Sequence, residues 1–430
     1  MVFLKMRNEE SHEPQSHGTL QDGATGLLVK SRGDNLIHSH ATLLRFCCQW
    51  SKAYFLQPMV KILYGFFCVM LISSCLFSKL NSSQEPQKPV PYLEKEVVYE
   101  NKGAGNSLAG TLTYPRSGKK LPAVILIGGR GPTDRDETSC GHRPFLVLAD
   151  YLSRHGLAVL RSDKRGVGKS DGEYNFLTTT KKDIAADVTA AFQYLQNLPE
   201  IDPHRIGLIG HSEGAVVAAM VAAERPEVSF VVMLAGPGLN GGENLSLQLG
   251  RVANSFGVYG ETIEKCKVIL ARTIEILKHE EKIDAARAKI IKMYEECASK
   301  ISEKERGAMK DIGYDFPSDP KAFADGMLSP GFYDFLMYEP KIILGQVKCP
   351  VLALNGKKDL QVPSHENLSA IERALKEGTN KDYVIHEIPG LNHLFQSART
   401  GSPTEYEQIE ETMSPVALEK IKEWITKHLK

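Results

Sequence analysis

The 430-residue sequence lacks an excess of charge of either sign, because 52 basic residues stand against 52 acidic residues. Nucleic-acid binding proteins usually carry a basic face, so this balance argues against a nucleic-acid partner. The sequence also lacks an internal repeat, and its length allows one large α/β domain with an insertion. No Cys-x-x-Cys spacing relates Cys140, Cys266, Cys297 and Cys349, which argues against a metal site. No metal or cofactor is predicted.

Residues 1–58 lack a sustained hydrophobic period, and we predict a non-native or disordered extension there. A new pattern begins at Met59, where a lysine and a short apolar run lead to Ile72-Ser73-Ser74-Cys75. This arrangement is typical of a secretory signal, and the apolar run is too short for a comfortable membrane span of about 20 residues. We therefore predict a translation start at Met59, a signal peptide over 59–75 and a polar tether over 76–92.

The end of this signal resembles the bacterial lipobox, in which the cysteine is lipidated and becomes the mature N-terminus. The resemblance implies a lipid anchor on Cys75. It also implies an exported protein of the bacterial cell envelope, held at the membrane. A signal-anchor helix, a periplasmic protein and a secreted protein remain the alternatives.

Beyond residue 92, short apolar runs bounded by Gly or Pro alternate with helical patterns. This alternation is typical of a parallel sheet covered on both faces by helices. We predict an α/β fold with a mostly parallel twisted sheet, built from residues 93–235 and 346–430. Residues 236–345 show helical spacing and little strand pattern, which predicts a helical lid with Cys266 and Cys297 in its core.

Two Gly-x-Ser-x-Gly sequences occur in the chain. Residues 210–214 (Gly-His-Ser-Glu-Gly) lie between a predicted strand, 205–209, and a predicted helix, 215–223. A serine on such a tight strand-to-helix turn stands clear of the sheet, and glycine permits the close approach of the two elements. Ser212 is therefore the predicted nucleophile. Residues 168–172 follow no strand and predict a polar turn.

A serine nucleophile needs a general base and a third group that orients the base. Asp359 follows the apolar run 350–356, and His393 follows the next strand candidate, 382–388. The carboxyl ends of parallel strands meet at one edge of a sheet, where open α/β folds place their sites. We predict Ser212, Asp359 and His393 as the catalytic residues.

Other histidines compete less well for the role of base. His386 lies within a predicted strand, and His365 opens a predicted helix. His211 lies inside the turn and faces away from the serine in such turns, which leaves it a supporting role at most.

Acyl transfer also needs hydrogen-bond donors for the oxyanion. One predicted donor is the backbone N–H of Glu213, which follows the nucleophile. The other is the N–H of Arg130 in the glycine-rich loop after the apolar run 121–127, with Gly129 as the alternative.

These motifs, in this order, resemble those of the bacterial α/β-hydrolases that include carboxylesterases and serine aminopeptidase-like hydrolases. The resemblance covers the chain from about residue 94 to its C-terminus, and its segments are 129–136, 161–170, 210–214, 355–359 and 390–395. It implies an α/β-hydrolase fold and an acyl-enzyme formed without a cofactor. Relatives often have a small residue at the position of Arg130, whose side chain we expect to point to solvent rather than to pair with an acidic substrate group. Asp134, Arg135 and Asp136 are expected to form ion pairs behind the site.

We predict a serine hydrolase whose partner is a small-molecule ester with a small or aromatic acyl group. Aromatic residues of the lid are candidates to line its pocket: Phe332, Tyr333, Phe335 and Tyr338. A peptidase would use the same residues but would need a site for the substrate amino terminus. A surface binding protein with an inactive site is a second alternative. The sequence leaves the natural substrate and the oligomeric state open.

Overall fold

The computed structural model of the chain describes residues 84–429, apart from residues 117, 119, 313 and 315. The predicted extension, the signal peptide with Cys75 and the first part of the tether lie outside the described residues. The first strand begins at the buried Tyr92, the last residue of the predicted tether. Within the described part of the chain, no helix is long and apolar enough to cross a membrane.

The described strands form one eight-stranded sheet. The strands are β1 Tyr92–Asn101, β2 Asn106–Pro115, β3 Leu121–Ile127, β4 Ala158–Ser162, β5 Ile201–His211, β6 Val231–Leu234, β7 Val351–Gly356 and β8 Tyr383–Ile388. Their order is β1-β2-β4-β3-β5-β6-β7-β8, and β2 pairs antiparallel with β1 and β4 while every other pair is parallel. The prediction of a mostly parallel sheet is confirmed.

Helices follow most of the strands. They are α1 Pro144–Arg154, α2 Lys181–Gln196, α3 Glu213–Glu224, α4 Gly241–Ser255, α5 Glu261–His279, α6 Ile283–Ala298, α7 Glu303–Asp311, α8 Pro320–Met327, α9 Pro330–Met337, α10 Pro340–Leu344, α11 Ser364–Glu377 and α12 Pro415–His428. One face of the sheet packs against α2, α3 and α11, and the other packs against α1 and α12. Because both faces are covered, the central strands are apolar on both sides, as their continuous runs of Val, Ile and Leu indicate.

The helices α4 to α10 all lie between β6 and β7, in the segment predicted as the lid. Helices α4 to α9 have a hydrophobic core of their own, in which Cys266 and Cys297 are buried as predicted. We call residues 236–345 the lid. All four cysteines of the described residues are free thiols.

Thr180 fixes the start of α2, which begins at the active-site edge of the sheet. Its hydroxyl accepts a hydrogen bond from Asp183 N, and the Asp183 carboxylate accepts one from Thr180 N. Removing such an N-cap costs about 1 kcal/mol. We expect Thr180→Ala to lower the free energy of unfolding by that amount in urea titrations, whereas Thr178→Ala, at an exposed threonine nearby, leaves it unchanged. Equal losses in the two variants would contradict the assignment.

Candidate active site

The predicted nucleophile lies at the turn between β5 and α3. Ser212 has φ 54° and ψ −122°, a conformation that is strained for a residue with a side chain and is typical of the nucleophile turn. A Cβ on Gly210 would overlap the backbone of Gly214, and one on Gly214 would overlap the carbonyl of Ile127. The two glycines therefore let β5, α3 and β3 approach closely enough to hold the serine in this conformation.

Asp359 and His393 form a hydrogen-bonded pair at the carboxyl edge of β7 and β8. His393 Nδ1 lies 2.7 Å from Asp359 Oδ2, and both side chains are buried. The other carboxylate oxygen, Oδ1, accepts the backbone N–H groups of Gln361 and Val362, at 2.8 Å each. These bonds fix the carboxylate, which in turn fixes the ring with Nδ1 as donor and leaves Nε2 as the basic atom.

No hydrogen bond joins Ser212 to His393 within the described residues. The catalytic bond to the serine is often long without substrate and tightens in the substrate complex. The nucleophile turn and the loop of His393 are in contact, because the ring of His211, which precedes Ser212 in the chain, lies 4.8 Å from the ring of His393. The roles of the three residues stay a prediction that this arrangement favours.

His211 links the loops that surround the site. Its Nδ1 lies 2.9 Å from the buried carboxylate of Glu137, and its Nε2 lies 3.0 Å from the backbone carbonyl of His393. Burial alone would lower the pKa of His211, but the Glu137 carboxylate and that carbonyl outweigh it and raise the pKa. The raised pKa favours the protonated ring, in which both nitrogens donate. His211 thus has a supporting role, as predicted.

The glycine-rich loop after β3 lies against the nucleophile. A Cβ on Gly129 would lie 3.2 Å from the Cβ of Ser212. Gly129 N donates to Glu137 Oε1 at 2.5 Å, whereas Arg130 N donates to no other described residue. Glu213 is the first residue of α3, where backbone N–H groups have no acceptor within the helix. This arrangement favours Arg130 over Gly129 as the partner of Glu213 in binding an oxyanion.

Two side chains that were not predicted from the sequence hold this loop. The ammonium of Lys164, part-buried beneath the loop, donates to the carbonyl oxygens of Gly129 and, at 3.1 Å, of Gly131. Tyr174 Oη accepts the N–H of Gly131 at 2.9 Å. The backbone groups on both sides of Arg130 are therefore bonded, and its own N–H remains. Lys164 lies in the segment 161–170, which is part of the family resemblance. No spacing in the sequence, however, indicates that its ammonium bonds to the loop after β3.

The expectation that the Arg130 side chain points to solvent is wrong. The side chain is only 6% exposed, and its Nη1 lies 3.0 Å from Glu213 Oε1. The guanidinium also lies over the ring of Phe335, 4.3 Å from its centroid, because the lid covers this edge of the sheet. Burial would raise the pKa of Glu213, but Arg130, Lys181 and Lys164 outweigh it and lower the pKa, so the carboxylate stays charged.

A cavity opens beside Ser212, between the lid and the sheet. It holds about 540 Å³ of empty space, part of it open to solvent. Phe335 and Tyr338 line it, as predicted for the lid aromatics. The prediction is wrong for Phe332, which packs in the lid core, and for Tyr333, which points outward and is 42% exposed. Phe332 and Phe335 are neighbours on the helix, with 5.7 Å between their ring centroids, but Phe335 lines the cavity and Phe332 does not.

The second Gly-x-Ser-x-Gly sequence is a structural turn. Ser170 is buried, and its hydroxyl donates to the carbonyl of Asp163 at 2.7 Å and accepts Ala109 N at 2.9 Å. The hydroxyl therefore donates one hydrogen bond and accepts another, and both fix the backbone of the turn.

Arg135 and Asp136 form ion pairs, as expected, whereas the expectation is wrong for Asp134. Arg135 Nη2 lies 2.7 Å from Asp163 Oδ2, and Asp136 pairs with the buried Arg161. Asp134 instead accepts backbone N–H groups of the turn that follows it.

Known proteins resemble this chain in sequence. Residues 143–295, which include the turn 210–214, match the family model described as serine aminopeptidase, S33. Esterase EstD of Thermotoga maritima is 29% identical over 334 residues, which cover 77% of this chain and 68% of EstD. Esterase FrsA of Yersinia enterocolitica is 30% identical over 159 residues, which cover 36% of this chain and 34% of FrsA.

Among solved structures, Est1E of Butyrivibrio proteoclasticus with bound ferulic acid has a TM-score of 0.47 and 18% identity over 77% of this chain and 99% of its own. The family match, the esterase relatives and the strand order of the sheet agree with one another. These matches support a hydrolase with the α/β-hydrolase fold, and residues 143–295 are similar to the S33 serine aminopeptidase family.

Proposed function

We propose that the protein hydrolyses carboxylic esters with small or aromatic acyl groups through Ser212, His393 and Asp359. The observation that carries the proposal is the buried hydrogen bond of 2.7 Å between Asp359 and His393, together with a nucleophile turn that holds Ser212 at φ 54°. A carboxylate, an imidazole and an activated hydroxyl in this order support nucleophilic catalysis.

In the first half of the reaction, Ser212 Oγ attacks the carbonyl carbon while His393 Nε2 takes its proton. The carbonyl oxygen becomes an oxyanion, which accepts hydrogen bonds from the N–H groups of Glu213 and Arg130. The tetrahedral intermediate collapses when the C–O bond to the alcohol breaks. His393 returns the proton to the leaving alcohol, and the acyl group remains on Ser212.

In the second half, water attacks the acyl-enzyme and His393 takes one of its protons. The bond to Ser212 Oγ then breaks, the serine regains its proton from His393, and the carboxylic acid leaves. Asp359 stays ionised throughout and stabilises the imidazolium that forms twice per turnover.

Ester hydrolysis is favoured over peptide hydrolysis by the charges beside Ser212. An aminopeptidase needs an acidic group that is available to the substrate ammonium. Glu213 is the acid that lines the cavity, and Arg130 and Lys181 already neutralise it. The relatives EstD and FrsA are named esterases. The name of the family model keeps aminopeptidase activity as the second candidate.

Labelling of the full chain by a fluorophosphonate tests the nucleophile. We expect one adduct, located by mass spectrometry on the peptide with Ser212, because the base and the oxyanion donors activate that hydroxyl alone. Ser212→Ala should lose the adduct. Ser170→Ala, the matched change in the other Gly-x-Ser-x-Gly sequence, should keep it.

A folded parent without adduct, or an adduct that survives Ser212→Ala, would contradict the proposal. Rates on acyl esters and on aminoacyl amides then separate the two candidates. Faster cleavage of the amides would favour the peptidase.

A further inference from the structure

Three side chains in the cavity beside Ser212 have hydrogen-bonding capacity that no described residue uses. They are the guanidinium of Arg130 from the loop after β3, the amide of Gln248 from α4 and the hydroxyl of Tyr338 from the end of α9. The three come from separate parts of the chain and meet at one cavity. Buried polar groups in proteins are nearly always bonded, so several open ones at a single place indicate a ligand site.

Arg130 is the charged member of this group. Its one hydrogen bond with a described residue joins Nη1 to Glu213 Oε1 at 3.0 Å. A guanidinium has five N–H groups, and this bond uses one of them. The stacking on Phe335, with 4.3 Å to the ring centroid, holds the guanidinium plane in place. Ordering of the side chain before the ligand arrives lowers the entropy that binding must overcome.

Tyr338 and Gln248 add neutral groups. Tyr338 Oη is buried and has no hydrogen-bond partner among the described residues. Burial, with a smaller contribution from Asp334, holds the pKa of Tyr338 far above its usual value, so the hydroxyl keeps its proton and can donate. Gln248 is 5% exposed, and its amide makes no hydrogen bond in the described part of the chain.

These groups favour a ligand rich in acceptor oxygens. Arg130 is a donor only, and the tyrosine hydroxyl and the glutamine NH2 also donate. Lys181 lines the same cavity and pairs with Asp334 at 3.0 Å, which keeps a second cation near the site. A substrate ammonium would find both carboxylates there, Glu213 and Asp334, already paired with a cation. A carboxylate would meet donors from both lid and core, and arginine binds carboxylates with two parallel hydrogen bonds.

The carboxylate of Glu213 also lines this cavity, but it does not prevent a second anion from binding. Arg130, Lys181 and Lys164 all act on it, so its single negative charge is surrounded by three cations. A substrate carboxylate on the open side of Arg130 would share the guanidinium with Glu213.

We propose that this cavity binds a carboxylate carried by the substrate, so that the preferred esters are half-esters of small dicarboxylic acids or esters of hydroxy acids. The inference rests on the proposed function, since it names the substrate class of the same site. Phe335 then both lines the pocket and orients the arginine.

The test compares substrates that differ in one charge. Monomethyl glutarate is compared with the methyl ester of glutaramic acid, in which an uncharged amide replaces the carboxylate at the same chain length. Butanoyl glycolate and butanoyl glycolamide repeat the comparison with the carboxylate on the alcohol side. We expect kcat/KM to favour the acid about tenfold or more in one of the two pairs, because a charge-assisted bidentate bond is lost in the amide.

Two variants and one control test whether the preference for the acid comes from this cavity. Tyr338→Phe removes only the hydroxyl and should lower the acid-to-amide ratio about threefold to tenfold. The double change Arg130→Gln and Glu213→Gln removes the charges as a pair, keeps both backbone N–H groups and should bring the ratio near one. Tyr333→Phe, on the outward side of the same helix, should leave the ratio unchanged.

Equal kcat/KM for acid and amide in both pairs would overturn the inference, and so would a ratio that neither variant lowers. Cleavage of neither pair by a protein whose Ser212 is labelled by fluorophosphonate would also overturn it. A folded protein without that label would instead overturn the proposed function itself.

Discussion

Asp359→Asn is expected to lower kcat for ester hydrolysis about 10⁴-fold, the loss seen when the carboxylate of a serine–histidine pair becomes an amide. Asp359 Oδ1 accepts two backbone N–H groups, so the amide that replaces the carboxylate places its own oxygen there and its NH2 group against His393. The ring must then accept at Nδ1 and carry its proton on Nε2. A protonated Nε2 cannot take the proton of Ser212, although every heavy atom keeps its place.

The matched control is Asp382→Asn. Asp382 also contacts a histidine, with 3.3 Å between His428 Nε2 and Asp382 Oδ1. Unlike the buried Asp359, its side chain is 59% exposed. We expect this variant to keep the parent kcat. Circular dichroism and thermal unfolding of both variants show whether a loss of kcat comes from unfolding or, in a folded protein, from the wrong tautomer of His393. A kcat of Asp359→Asn within tenfold of the parent would show that another group orients His393.

Lys164→Met is expected to lower kcat about 10²- to 10³-fold with little change in KM. The ammonium holds the carbonyl groups of Gly129 and Gly131, and the N–H of Arg130 lies between them. Without these bonds the loop can turn the Arg130 N–H away from the oxyanion, and loss of one such donor typically costs about 3 kcal/mol of transition-state stabilisation. The effect falls on kcat because the oxyanion exists in the transition state and not in the bound ester.

The pH profile gives a second readout for Lys164. Burial lowers the pKa of its ammonium to about 8, although Glu213 and Glu137 act in the opposite direction. The charged form therefore prevails below pH 8, and the charge-assisted bonds weaken as the pH rises through that value. We expect the parent kcat to fall above this pKa and the Lys164→Met profile to lack the fall.

Lys169→Met serves as the control for the loss of a lysine in the same segment. Its side chain is 75% exposed, and its ammonium lies 3.5 Å from Glu96 Oε2. A Lys164→Met variant with kcat close to that of both the parent and this control would refute the role of Lys164 in holding the loop.

The sheet and the positions of the candidate catalytic residues on it could be predicted because both depend on local patterns. A buried parallel strand needs a continuous apolar run, and the crowded turn at Ser212 needs glycine at 210 and 214. Asp359 and His393 then follow from the rule that strand ends meet at one edge. The strand before the nucleophile is longer than predicted, Ile201–His211 instead of 205–209, because its first residues pair with β3 without an apolar run.

The contacts that orient the site could not be predicted in the same way. Glu137 and Lys164 bond to backbone groups of residues 8 and 35 positions away, and such contacts leave no period in the sequence. The position of the Arg130 side chain depends on Phe335, which reaches the sheet only after the lid has folded over it. The position of a side chain whose partner is distant in the sequence can be read only from the folded structure.

The stacking of Arg130 on Phe335 and the pairing of Lys181 with Asp334 bind the lid to the core at the catalytic edge. Lids are often regarded as parts that lineages exchange freely while the core is retained. Here positions 130 and 335, and likewise 181 and 334, are expected to covary among descendants of this chain. A new substrate range acquired by changing the lid would therefore require a compensating change in the loop after β3, which holds the proposed oxyanion donor, and the two properties would be inherited as a set.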